Sequence, residues 1–139
     1  MIQLIVGEKG KGKTKILLDK ANTDIKEAKG SIVYLDKNKQ HMYELNNKIR
    51  LIDVTDYPVA NVDAFMGFLC GIVSQDHDLE RVFLDSFLTV AHIECPNCFA
   101  AAVADLTKIS EQFKVDFVVS ASMKKEDLAE ELQALVIND

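Results

Sequence analysis

Residues Gly7-Glu8-Lys9-Gly10-Lys11-Gly12-Lys13-Thr14 stand directly behind the apolar run Ile2-Gln3-Leu4-Ile5-Val6 and in front of Lys15-Ile16-Leu17-Leu18-Asp19-Lys20-Ala21. The spacing G-x-x-x-x-G-K-[ST], set between a strand pattern and a helical one, restricts the fold more than any other stretch of the chain. Glycine lets backbone come close to a bulky anion, and the first N–H groups of the following helix point at it. A triphosphate, with dense negative charge on a small volume, suits that cradle. Residues Gly7, Glu8, Lys9, Gly10, Lys11, Gly12, Lys13 and Thr14 are therefore expected to hold a nucleotide. Lys13 would reach the β- and γ-phosphate oxygens, and the Thr14 hydroxyl would take one position on Mg²⁺.

Strand and helix signals alternate behind this loop, the pattern of a parallel sheet covered on both faces. Apolar runs at 2–6, 31–35, 50–54, 82–84 and 117–119 are expected strands, and 135–137 could add an edge strand. Helices are expected at roughly 13–28, near 40–46, around 60–74, along the Phe99, Ala102, Val103, Leu106, Ile109, Phe113 stripe, and at about 124–133. The fold class is α/β with a mainly parallel sheet of five or six strands. At 139 residues, without repeat, linker or low-complexity segment, residues 1–139 read as a single domain.

The net charge of −6 is unevenly spread: residues 1–50 carry 11 Lys/Arg against 6 Asp/Glu, whereas residues 51–139 carry 5 against 16. The basic part contains the glycine loop, and it lacks the broad basic stripe of a nucleic-acid face. No basic leader and cleavage site opens the chain, and no apolar run approaches the ~20 residues that span a bilayer, so a cytoplasmic protein without membrane contact is expected. Cys70 falls in an apolar helical pattern and reads as a small core residue. His92, Cys95 and Cys98 form H-x-x-C-x-x-C, with His77 the only fourth ligand in view. The expectation is a helix start with reduced thiols, capped by Asn97, with a metal site and a redox pair as the alternatives.

A second nucleotide signal is Arg81-Val82-Phe83-Leu84-Asp85, an apolar strand ending in a carboxylate, the Walker B pattern, whose Asp85 would hold Mg²⁺ together with Thr14. Tyr34-Leu35-Asp36, Met42-Tyr43, Arg50–Asp53 and then Val82-Phe83-Leu84-Asp85-Ser86 follow the loop in an order that resembles the core of RecA-type P-loop ATPases. The resemblance implies a three-layer P-loop NTPase fold with RecA-like strand order. Strand 116–120 would lie between 2–6 and 81–85, with 31–35 and 50–54 further out. It also implies ATP and Mg²⁺ as cofactors, and Ser120 or Ser122 facing the γ-phosphate. Those serines could equally satisfy local backbone groups.

One departure from the family is the missing water-activating glutamate. Asp36 stands near one expected place and Ser86 at the other, which leaves Asp36 as a substitute base and Glu8 and Glu94 as remote ones. Catalytic candidates are thus Lys13, Asp36 and Ser120. Arg50 and Arg81 sit at strand starts, away from the expected nucleotide, whereas Lys124 and Lys125 follow the fifth strand. The function expected is Mg-ATP binding with slow ATPase or switch activity, alone, as a homo-oligomer or with a protein partner. The alternatives are a small-molecule or nucleoside kinase and a non-hydrolysing interaction module. No N-K-x-D stretch argues for guanine.

Overall fold

Side chains leave a strand alternately on its two sides, and here both sides are apolar. Leu4, Val33, Leu35, Val82, Leu84, Phe117 and Val119 belong to one buried cluster. Ile5, Ile32, Tyr34, Phe83 and Val118 belong to another. A sheet with two greasy faces must be covered twice, and the computed structural model, which describes residues 1–10 and 12–138, shows how. Strands β1 (Ile2–Gly7), β2 (Ser31–Asp36), β3 (Arg50–Asp53), β4 (Leu79–Leu84) and β5 (Asp116–Ser122) form one sheet in the order β1-β5-β4-β2-β3. All neighbouring pairs are parallel. β5 lies between β1 and β4, with β2 and β3 further out, the order expected of these runs.

Helix α1 (Lys13–Glu27) covers one face through Leu17, Leu18, Ala21 and Ile25. On the other face lie α2 (Val62–Ser74), through Phe65, Leu69 and Val73, and α4 (Pro96–Phe113), through Phe99, Ala102, Val103, Leu106 and Ile109. Burying each large apolar side chain contributes about 1.5–3 kcal/mol, so the layers are held chiefly by these two interfaces. Asn61 caps α2 by accepting from the Ala64 amide at 2.8 Å. Two short helices, α3 (Phe87–Val90) and α5 (Glu130–Gln133), complete the elements.

Residues 135–137 do not form a sixth strand. They make one parallel bridge, Leu4 to Val136, in which the Leu4 amide donates to Leu135 O and the Ile137 amide to Leu4 O, both at 2.9 Å. Asn138 extends this seal with its side chain: Oδ1 accepts from the Val6 amide at 3.0 Å and Nδ2 donates to Val6 O at 2.7 Å. The free edge of β1 is thereby occupied up to the residue before the glycine loop.

Two expected helices are corrected. Residues 40–46 form turns, because Asn38 and Asn46 side chains accept from the Gln40 and Lys48 amides and compete with helical bonding. Met42 and Tyr43 are exposed there, leaving no apolar stripe to dock. The stretch 124–133 breaks into a 3₁₀ turn at Lys125–Asp127, extended backbone at Leu128 and Ala129, and α5. A continuous helix would set Glu126 over Glu130 and Asp127 over Glu131, like charges at i, i+4.

Candidate functional site

Strand parity builds the site. Phe83, Val118 and Ile32 face α1, so Asp85, Ser120 and Tyr34, each two positions further along, leave the sheet on that same side at its C-terminal edge. Thr14, in the first turn of α1, comes down on them from above. Asp85, only 2% exposed, receives three hydroxyl donors: Tyr34 OH on Oδ2 at 2.8 Å, and Ser120 Oγ at 2.9 Å and Thr14 Oγ1 at 3.3 Å on Oδ1. A buried carboxylate is sustained only by such partners. Burial and the Asp85 charge together push the Tyr34 hydroxyl far above the ordinary range, so it acts as a donor only.

Behind Asp85 the chain turns through Ser86 in the left-handed region, φ 53°. A non-glycine residue there costs on the order of 1 kcal/mol, and the Ser86 amide donating to Ser120 Oγ at 3.0 Å helps to hold it. The chain then enters α3, whose Leu88 and Thr89 form one wall of a cleft of about 400 Å³. Lys9, Gly10, Gly12, Lys13, Thr14, Lys37, Ser86 and Ser122 line the rest. Gly10 and Gly12 have φ 87° and 76°, and a Cβ on either would meet nothing within 4 Å. The loop needs glycine for its backbone path while the space in front of it stays open.

Gly12 is the N-cap of α1 and has no side chain to cap it, and the first turn holds no acidic residue. The helix N-terminus therefore opens on the cleft without an acidic side chain of its own first turn, and Asp85 meets it from the sheet through Thr14. Lys13 Nζ donates to Glu8 O at 3.0 Å. Burial lowers the Lys13 pKa from its usual value, with Asp85 acting in the opposite direction. Lys124, on the segment after β5, pairs with Glu8 at 3.4 Å. Lys11, expected among the nucleotide ligands, lies outside the described residues.

Asp36 ends β2 next to Asp85, whose amide continues the ladder onto Leu35 O at 2.9 Å. It is 2% exposed; Oδ1 accepts from the Lys37 amide at 2.7 Å, and Oδ2 has no hydrogen-bond partner among the described residues. Burial, then the Asp85 charge, push its carboxyl up to about 6. Asp36 is not among the residues that line the cleft, whereas its neighbour Lys37 is. Of the two serines, Ser120 is spent on Asp85 and Ser86, and Ser122 lines the cleft.

The remaining candidates lie elsewhere. Arg81 donates to Asp24 at 2.5 Å and Asp116 at 3.2 Å near the opposite edge of the sheet, and Arg50 opens β3 exposed. Cys95 and Cys98 are joined by a disulfide, not held as thiols. The cap of α4 is Cys95, whose sulfur accepts from the Cys98 amide at 3.1 Å, with Pro96 and Asn97 already inside the helix. His92 Nε2 donates to Val59 O at 2.8 Å, and no cluster of three or more metal-ligating side chains occurs among the described residues. Cys70 is half-buried against the larger core rather than inside it.

Sequence reasoning missed Tyr34, Asn138 and Lys37. Tyr34 had a usable signal, its parity with Asp36 on a strand beside β4; Asn138 had none. A larger hollow of about 670 Å³ lies between α2 and the β2–β3 edge, away from the loop. Ser31, Lys48, Arg50, Tyr57 and Asp76 are among its lining residues, but none of the described residues of the glycine loop reaches it. No helix among the described residues is long and apolar enough to cross a membrane. No protein-family model matches the chain, and no curated protein matches it.

Proposed function

We propose that this chain is a P-loop protein of RecA-like strand order that binds Mg-ATP at residues 7–14 and acts as a slow ATPase or ATP-dependent switch. The observation that carries the reading is the meeting of Thr14 with Asp85 across 71 residues of chain, at the uncapped start of α1. Hydroxyl and carboxylate oxygens are the donor set of a hard divalent cation, so the pair fits Mg²⁺. That ion, when bound, would offset charge on the β- and γ-phosphates. Lys13 would release Glu8 O and turn to the phosphates, while the amides of the α1 first turn would take the oxygens. Tyr34 and Ser120 would hold the Asp85 carboxylate in place, and Leu88 and Thr89 would screen the phosphates from one side.

Slowness follows from Asp36. A carboxyl raised to about 6 whose Oδ2 has no partner among the described residues has the basicity to take a proton from water, yet it is buried and does not line the cleft. The same burial favours a second reading, a module that binds ATP without hydrolysing it. A kinase reading gains nothing from the arginines, since Arg81 is committed to Asp24 and Asp116. Phosphate release from Mg-ATP separates the readings. Slow release by the parent that disappears in Lys13→Ala and Asp85→Asn supports the ATPase, loss in Asp36→Asn as well identifies the base, and no release with binding intact leaves the module. Absence of both release and binding removes the proposal.

A further inference from the structure

The cystine at the start of α4 lies outside the phosphate cleft, and its surroundings suit chemistry rather than bracing. Residues 94–98 are all exposed, and the bridge closes over only three positions of chain, too short a loop to restrain the unfolded state much. The Cys95 sulfur caps the helix by accepting the Cys98 amide at 3.1 Å. A sulfur held there gains most when negative, because a helix N-terminus and a directed N–H both favour thiolate over thiol. Beside it lies a small, mostly apolar hollow of about 170 Å³ formed by Leu88, Ile93, Pro96, Phe99 and Met123 together with Cys95 itself, with Glu94 as its one charged lining residue. Accessible sulfur, anion-stabilising cap and a greasy recess for the group attached to a second sulfur are thus found at one place.

We propose that Cys95 and Cys98 form a thiol–disulfide exchange site for small or peptide-borne disulfides carrying an apolar group, with Cys95 as the attacking sulfur. In the reduced state the Cys95 thiolate attacks one sulfur of the substrate disulfide. The substrate S–S bond breaks, and its far half leaves as a thiolate that takes a proton from water. Cys98 then gives up its proton, its thiolate attacks the Cys95 sulfur, and the second half of the substrate leaves as a thiol. The substrate gains two electrons and two protons, and the pair closes to the observed disulfide. An external dithiol resets it by the same exchanges in reverse, entering at the exposed Cys95.

The test uses the folded chain carrying Cys70→Ser, so that only the pair reacts. The protein is reduced with a dithiol, desalted, and mixed with 5,5′-dithiobis(2-nitrobenzoate), with circular dichroism confirming native structure. The expected result is two equivalents of thionitrobenzoate per chain and a protein mass with no adduct, because Cys98 expels the first adduct from Cys95. Adding Cys98→Ser should give one equivalent and a lasting adduct, whereas Cys95→Ser should react on the order of tenfold more slowly or less. Two lasting adducts on the parent, reaction only after denaturation, or Cys95→Ser reacting as fast as Cys98→Ser would overturn the proposal. Should either variant misfold, the adduct count on the parent alone decides.

Discussion

Replacing Asp36 by Asn should make the protein more stable at neutral pH and less stable in acid. The folded state pushes this carboxyl from the usual 3.8 up to about 6 by burying it beside Asp85. A carboxyl with a raised folded pKa binds its proton more tightly when folded, so it leaves stability intact below about 4 and removes it as pH climbs to about 6. Converted at about 1.4 kcal/mol per pH unit, the cost reaches about 3 kcal/mol above that window. An asparagine keeps the bond from the Lys37 amide through its carbonyl oxygen and escapes the charge. Its NH₂ group then occupies the place of Oδ2, which has no partner among the described residues, at a cost of about 1 kcal/mol. The net expectation is a gain of about 2 kcal/mol at pH 7.5 and a loss of up to about 1 kcal/mol at pH 4. Urea unfolding of both proteins at the two pH values reads this directly, since the midpoint moves while the slope should not. A variant-minus-parent difference that changes by less than about 0.5 kcal/mol between pH 4 and 7.5 would refute the reasoning.

Tyr34→Phe should destabilise by about 2 kcal/mol, because a hydroxyl donating to a buried carboxylate at 2.8 Å is lost while the ring stays packed against Phe83. Ser120→Ala acts on the same carboxylate, so the double variant should fall short of the sum of the singles in urea titrations, and strict additivity would argue against a shared network. Gly30→Ala should cost more than about 2 kcal/mol in thermal melts, since its Cβ would collide with the Asp78 carbonyl while the Gly30 amide is tied to the Glu80 carboxylate. A melting temperature unchanged from the parent would show that this corner can open.

The readable part of the fold was its alternation. Short continuous apolar runs at Ile32 to Leu35 and Val82 to Leu84, alternating with longer helical stripes, read as strands, and buried parallel strands explain why both parities were apolar. What could not be read depended on contacts distant in sequence. The turns at 40–46 depend on where Met42 and Tyr43 find no surface to bury against, and the break after residue 127 on the tail being drawn to β1 by Leu135, Ile137 and Asn138. Within the site, Thr14, Asp85 and Ser120 carried signals in sequence because each stands at a fixed offset from a strand end or the glycine loop. Tyr34 shares the parity of Asp36 in sequence, but its bond to Asp85 follows only when β2 is placed against β4. Reduced thiols were the expectation at Cys95 and Cys98 and the disulfide overturns it, since C-x-x-C alone does not say how the two sulfurs are held.

The account turns on whether residues 7–14 hold a nucleotide. Isothermal titration of Mg-ATP into the parent and into Lys13→Ala tests that most directly. Among the described residues Lys13 Nζ bonds the Glu8 carbonyl, an exposed contact, so the variant should melt like the parent. The account predicts one site per chain in the parent and affinity at least about tenfold weaker in Lys13→Ala, from the loss of one charged contact to phosphate. No binding heat in the parent, or equal affinity in the two proteins, would contradict it.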